Sequence, residues 1–202
     1  MRGKADLNIV GLLLAAGSAT RFGSDKLQHA LPHGVSIAVQ SARHLKPELG
    51  RVVAVVRPGS DELSKALKSE GCEIVVCENA AEGMGASLAC AARAAAHFEP
   101  NADGYLIALA DMPFLRRTTI AAVRDALAAG APLAAPYFRA RRGHPVGLSR
   151  KFFQDLLTLQ GDEGAKRLLA AHEKQMIKIP VGAPGELRDI DRPEDLAPPL
   201  SV

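Results

Sequence analysis

The 202-residue sequence contains no tryptophan, two tyrosines and six phenylalanines. Its core must therefore be built from alanine, leucine, valine and isoleucine, which suit helices packed closely on a sheet. Nucleic acid is excluded as a partner, because a nucleic-acid binder shows a basic stripe interleaved with stacking aromatics. The charge agrees: 25 Lys and Arg against 22 Asp and Glu leave a net +3, and no Lys/Arg block exceeds two. Cysteine is also scarce. Cys72, Cys77 and Cys90 are odd in number, irregularly spaced and never arranged as C-x-x-C. That excludes a disulfide framework, a zinc knuckle and a redox dithiol. They read as small buried hydrophobes in a reducing cytosol, and a cytoplasmic protein is expected. No apolar run approaches the roughly 18 residues of a membrane span, so no membrane partner is expected. Arg2 and Lys4 ahead of an apolar run imitate a signal peptide, but Asp6 and Asn8 interrupt the approach. The run is read as a buried first strand.

What the sequence does contain is alternation. Residues 7–15 are continuously apolar and stop at Gly17, as a strand buried on both faces does. Residues 52–56, 74–77 and 105–110 repeat that signal. Helical patterns lie between them. Residues 36–45 carry Ile37, Ser41, Ala42 and Leu45 on one face, and residues 61–69 turn Leu63, Ala66 and Leu67 inward. Residues 85–97 are alanine-rich. Residues 117–129 place Ile120, Val123 and Leu127 on one face. Later come strand candidates at 132–137, 145–148 and 176–179, and helices at 152–159 and 165–172. Strands alternating with helices predict βαβ units and an α/β fold with a mostly parallel sheet. Such a sheet binds its ligand beyond the carboxyl ends of the strands. Residues 1–202 are expected to form one domain, elaborated after about residue 130.

Four stretches can carry chemistry. The loop after the first strand runs Leu14-Ala-Ala-Gly-Ser-Ala-Thr-Arg-Phe-Gly-Ser-Asp-Lys26. Gly17 and Gly23 let the backbone approach an anion, and Arg21 and Lys26 supply positive charge, a combination that can cradle a polyphosphate. The spacing is neither a P-loop nor a dinucleotide fingerprint, and an ordinary βα turn fits the same residues. Asp111, at the carboxyl end of an apolar strand, can hold Mg²⁺ against phosphate oxygens or cap a following helix. Gly83-Met-Gly-Ala-Ser87 opens the alanine-rich helix and can present backbone and hydroxyl groups to a base or ribose. Asp189 and Asp191, two apart in an extended segment, point the same way and can complete a metal site with Asp111, or form a solvated edge. Arg139, Arg141, Arg142 and His144 cluster where they can grip an acidic second substrate, or form a solvated charged face, the more frequent role of such a run.

Taken together, these stretches resemble a known family. Leu14-Ala-Ala-Gly-x-x-x-Arg21-Phe-Gly23-x-x-Lys26 is similar to the signature loop of nucleotidyltransferases with the nucleotide-diphospho-sugar transferase fold. Gly83-Met-Gly-x-Ser87-Leu, Leu109-Ala-Asp111-Met-Pro113, Gly143-His-Pro145-Val, Gly161-Asp-x-Gly164-Ala and Asp189-Ile-Asp191-x-Pro193 resemble the molybdenum cofactor cytidylyltransferase-like branch. The resemblance implies a three-layer αβα sandwich of Rossmann-like form. Residues 1–130 would be the nucleotide-binding half and 131–202 the acceptor-binding elaboration. It implies Mg²⁺-dependent transfer of a nucleotidyl group from an NTP to a phosphorylated pterin-type acceptor, with pyrophosphate released and a molybdoenzyme as a further partner. Gly17, Arg21 and Lys26 would bind the triphosphate, with Leu14 in the same loop. Ala15, Ala16, Gly83 and Ser87 would lie against base and ribose. Asp111, Asp191 and Asp189 would hold the metal, and Arg142 and His144 the acceptor. Guanylyltransferase relatives usually carry Leu-Ala-Gly-Gly and a Gly-Pro-Leu-Ala-Gly-like stretch, so Leu14-Ala-Ala-Gly and Gly83-Met-Gly favour CTP. Arg192 stands where the family usually has Thr. A nucleotidyltransferase with another phosphorylated acceptor, or a non-catalytic cofactor chaperone, are the alternatives.

Overall fold

The computed structural model describes residues 7–17 and 25–196. Four parallel strands make its centre: β1 (Ile9–Ala15), β2 (Arg51–Val56), β3 (Glu73–Val76) and β4 (Gly104–Leu109). The later strands are β5 (Leu133–Phe138), β6 (Arg141–Arg142), β7 (Val146–Ser149) and β8 (Met176–Pro180). All eight join one sheet, in the order β3-β2-β1-β4-β7-β5-β6, with β8 along β5. β7 runs antiparallel to both β4 and β5, β6 makes a hairpin with β5, and β8 is parallel to β5. The fold is α/β with a central, mostly parallel sheet, and the segment after residue 130 extends that sheet.

Strand periodicity builds the layers. Successive side chains on a strand point to opposite faces. On β1, Ile9, Leu13 and Ala15 join one core, and Val10, Leu12 and Leu14 join the other. On β2, Val52, Ala54 and Val56 face the first side, and Val53 and Val55 the second. The first face is covered by α1 (Ile37–Leu45), α2 (Asp61–Ser69) and α4 (Arg117–Ala128), which contribute Ile37, Leu63, Leu67, Ile120 and Val123. The second is covered by α3 (Met84–Phe98), α5 (Phe153–Leu157) and α6 (Lys166–Ala171), through Leu88, Leu156 and Leu169. Each large side chain removed from water here contributes about 1.5–3 kcal/mol. Ala91, Ala92 and Ala95 are fully buried, and their small side chains let α3 lie close on the sheet.

The chain runs outward from β1 through β2 to β3, then crosses back through α3 to lay β4 on the other side of β1. The strand order therefore reverses between β1 and β4, and a crevice opens beyond their carboxyl ends.

Two local features differ from the sequence reading. The helices expected at 152–159 and 165–172 are shorter, Phe153–Leu157 and Lys166–Ala171, and the chain turns between them at Gly161 and Gly164, which take positive φ (66° and 54°). The β5–β6 hairpin has no turn signature. Arg139 and Ala140 form its turn at φ 48° and 64°, a conformation costing non-glycine residues about 1–2 kcal/mol each.

The first turn of α3 packs against the residues that follow α5. The Gly85 N–H donates to the Gly161 carbonyl at 2.7 Å. A Cβ on Gly85 would stand 2.5 Å from the Gln160 carbonyl carbon and oxygen. Gly85→Ala is expected to cost about 1–3 kcal/mol and to lower the melting temperature by roughly 3–10 °C. Gly50→Ala, with nothing within 4 Å, is expected to leave it nearly unchanged. Thermal unfolding followed by circular dichroism compares the two.

Candidate functional site

A cavity of about 650 Å³ lies at the crevice. Leu14, Ala16 and Gly17 line it from the end of β1, and Leu109 and Asp111 from the end of β4. Gly83, Met84 and Ser87 line it from the start of α3, and Lys26 and Leu27 from the turn before α1. Of the residues singled out from the sequence, seven share this one space: Leu14, Ala16, Gly17, Lys26, Gly83, Ser87 and Asp111. Arg21 and Gly23 lie outside the described residues. Ala15 does not line the cavity. Strand alternation sends its methyl into the core on the α1 side, so it can offer only backbone.

Asp111 is held through its own backbone and that of its neighbour. The Ala110 N–H donates to the Leu14 carbonyl at 3.0 Å, which extends the β1–β4 ladder past the last strand residue. The Ala110 carbonyl accepts the hydroxyl of the fully buried Ser41 at 3.0 Å. The Asp111 carbonyl accepts the Ile190 N–H at 2.9 Å. Helix α4 begins only at Arg117, with Arg116 at its cap, so Asp111 is no helix cap.

The bond from Ile190 brings a distant segment to the site. Ile190 is buried in the core, so Asp189 and Asp191 emerge on the opposite side. Upstream, the fully buried Glu186 accepts the Thr119 hydroxyl at 2.6 Å, and its carbonyl accepts the His144 N–H at 2.8 Å. Gly143 permits that approach, since a Cβ there would overlap the Glu186 carbonyl. Downstream, the Asp195 carboxylate accepts the N–H groups of Asp191 and Arg192 at 3.1 and 2.9 Å. These two bonds hold Asp195 below the usual carboxylate range. Arg192 serves this turn through its backbone N–H, its side chain is exposed, and its charge adds to the lowering of Asp195.

Asp111, Asp189 and Asp191 each offer an oxygen, and the three oxygens lie within 4.8 Å of one another. Lys26 meets this cluster directly. Its Nζ is 2.8 Å from Asp111 Oδ2 and 3.0 Å from Asp191 Oδ1, with the lysine side chain 11% exposed. Burial alone would lower the Lys26 pKa, but Asp111 and Asp191 outweigh it and hold the ammonium above its ordinary value. Burial lifts Asp111 above the usual carboxylate range. Lys26 pulls it back down, Asp189 pushes it further up, and the net direction is upward. Asp111 Oδ1 is buried without a hydrogen-bond partner among the described residues. Three hard oxygen donors, an unpartnered carboxylate oxygen and more negative than positive charge fit a divalent cation.

Arg142 and His144 do not line the cavity. Arg142 is exposed on β6. His144 is pushed down to about 4 by burial and by the Arg142 charge, so it is neutral at pH 7 and can meet an anion only as a hydrogen-bonding group. The cavity also takes in Arg57 and Glu78, which no sequence motif marks, and Asp162, whose motif carried no assigned role. Arg57 follows β2 directly, and Glu78 lies just past β3. Applying the carboxyl-end rule to every parallel strand would have found both. Asp162 stands inside the Gly161-Asp-x-Gly164 motif, and a Cβ on Gly83 would overlap its carboxylate.

Residues 11–176 match the model of the MobA-like NTP transferase domain. The chain belongs to that family and is a nucleotidyltransferase. Purine catabolism protein PucB of Bacillus subtilis (strain 168) is 33% identical over 204 residues, covering 93% of each chain. The crystal structure of Rv0371c from Mycobacterium tuberculosis superposes with a TM-score of 0.79 at 25% identity, over 94% of this chain and 95% of that one. A structure of Rv0371c in complex with manganese superposes at 0.69 and 22% identity, over 96% and 92%. Among the described residues no helix is long and apolar enough to cross a membrane.

A histidine held neutral in the fold charges more readily in the unfolded chain. The unfolded state then binds more protons between pH 4 and about 6.5, so stability is complete above that window and falls as pH drops through it. His144→Gln is expected to show a shallower loss of unfolding free energy between pH 7 and pH 4.5 than the unsubstituted protein. Urea titrations at the two pH values measure the difference.

Proposed function

We propose that this transferase moves a nucleotidyl group from an NTP, with CTP favoured, to the terminal phosphate of a molybdopterin-type acceptor, in a reaction that depends on Mg²⁺. One observation carries the reading: Lys26 Nζ meets Asp111 at 2.8 Å in the cavity at the strand-order reversal, and Asp189 and Asp191 stand beside Asp111 without lining that cavity. A nucleotidyl transfer needs that combination. Two anions must be brought together, and the charge that builds on the departing pyrophosphate must be offset.

The chemistry follows from the acceptor. A phosphate monoester is already an anionic nucleophile near pH 7, so no strong general base is required. One of its oxygens attacks the α-phosphorus, and the bond from that phosphorus to the pyrophosphate oxygen breaks. Asp111 and Asp191, with Asp189, would hold Mg²⁺, which when bound supplies positive charge to phosphate oxygens. Lys26 and Arg21 would neutralise the leaving pyrophosphate, and the backbone from Leu14 to Gly17 would receive the phosphates. Ala16, Gly83 and Ser87 would face the base and ribose, with Ala15 contributing backbone alone. Arg142 would contact the acceptor's charge, with His144 as a neutral hydrogen-bonding partner. The preference for CTP rests on Leu14-Ala-Ala-Gly and Gly83-Met-Gly, which stand where guanylyltransferase relatives usually carry other sequences.

Pyrophosphate release measured with each NTP, Mg²⁺ and a panel of phosphorylated acceptors tests the reading. Turnover is expected with CTP and molybdopterin. Turnover only with a sugar phosphate, or only with another NTP, replaces the acceptor or the base while keeping the reaction. Asp111→Asn and Lys26→Met are each expected to lower turnover at least about 100-fold while the protein remains folded. Wild-type rates in both variants would remove the mechanism.

A further inference from the structure

The mechanism uses Lys26 as a phosphate-binding cation, and the same ammonium also meets the carboxylate cluster. It sits on two of the three carboxylates that would hold the metal, at 2.8 Å from Asp111 and 3.0 Å from Asp191. We infer that Lys26 is an internal counter-ion for the metal carboxylates, one that a divalent cation must displace and that a bound triphosphate draws away.

The charges argue for it. Three carboxylates with oxygens inside 4.8 Å repel one another, and a single ammonium bonded to two of them relieves part of that repulsion. A divalent cation on the same carboxylates would meet the ammonium as a like charge, in a partly buried place where such repulsion is poorly screened. Lys26 is not pinned to a strand. It opens a three-residue turn, Lys26–Gln28, immediately after the loop that carries the other proposed phosphate ligands. A polyphosphate at that loop offers the ammonium more negative charge than two carboxylates do. Its departure would bare Asp111 and Asp191 as the nucleotide arrives. Nucleotide and metal would then bind synergistically, by linkage through one side chain.

This inference rests on the reading above that Asp111 and Asp191 hold a divalent cation, and its test separates the two. Mn²⁺ alone, without nucleotide, is titrated calorimetrically into the full chain and into Lys26→Met, Lys26→Arg and the double variant Lys26→Met/Asp111→Asn. Thermal unfolding confirms that each is folded. Lys26→Gln, which keeps an N–H donor, replaces the methionine variant should that one not fold. Lys26→Met is expected to bind Mn²⁺ at least roughly tenfold more tightly than the unsubstituted protein, the scale of a single charge-assisted hydrogen bond that the metal no longer has to break. Lys26→Arg keeps the charge and is expected to stay within about threefold of it. The double variant is expected to lose the gain. Equal or weaker binding by Lys26→Met overturns the inference while leaving the metal site standing. An arginine variant as tight as the methionine one, or a double variant that keeps the gain, overturns it equally. Failure of every variant to bind Mn²⁺, with or without CTP, overturns the metal reading and this inference together.

Discussion

The structure turns on one charge problem. A carboxylate at the end of a buried strand, Asp111, is brought against two more, Asp189 and Asp191, from near the other end of the sequence. The encounter persists because Ile190 is buried in the core and its N–H donates to the Asp111 carbonyl, and because Lys26 supplies a cation between the carboxylates. Burial pushes the pKa of Asp111 up even with that cation present. Among the described residues, three carboxylates thus face a single ammonium, and negative charge is in excess at the cluster.

Glycines deliver the remaining parts of the site by letting main chains touch. Gly83 and Gly85 allow residues 160–162 to lie on the first turn of α3. Gly143 allows the β6–β7 connection to rest on Glu186, and Gly185 fits against the Phe114 carbonyl. Buried Glu186 then ties that segment to Thr119 on α4. Three stretches far apart in sequence are stitched around the end of β4 in this way. Several glycine motifs that resemble ligand loops are, in this structure, contacts between backbones.

Much of the fold was legible because its signals are local. The apolar runs of β1, β2 and β4 and the helical faces of α1, α2 and α4 match the observed elements, Asp61–Ser69 to the residue. Two carboxylates flanking Ile190 were read as pointing together, and the burial of Ile190 is the reason they do. Less was legible where the signal depends on distant partners. The break between α5 and α6 at Gly161 and Gly164 was legible, but both helices are shorter than their apolar pattern suggests. The Arg139–Ala140 turn carries no turn residues. Arg57 and Glu78 reach the cavity from strand ends that share no motif, and Asp162 from a motif whose partner, the first turn of α3, is distant in sequence.

Composition and period by themselves determined the class of the molecule. An aromatic-poor chain whose apolar runs alternate with helical faces has to bury a mostly parallel sheet between helices, with its ligand at the strands' carboxyl ends. Spacing also marked Lys26 and Asp111 as charged groups at such ends. Only the tertiary structure decided that they touch, that Ala15 turns away and that His144 is neutral. Those outcomes depend on which face of the sheet a side chain meets and how much water remains around it, quantities that arise when segments distant in sequence are packed together.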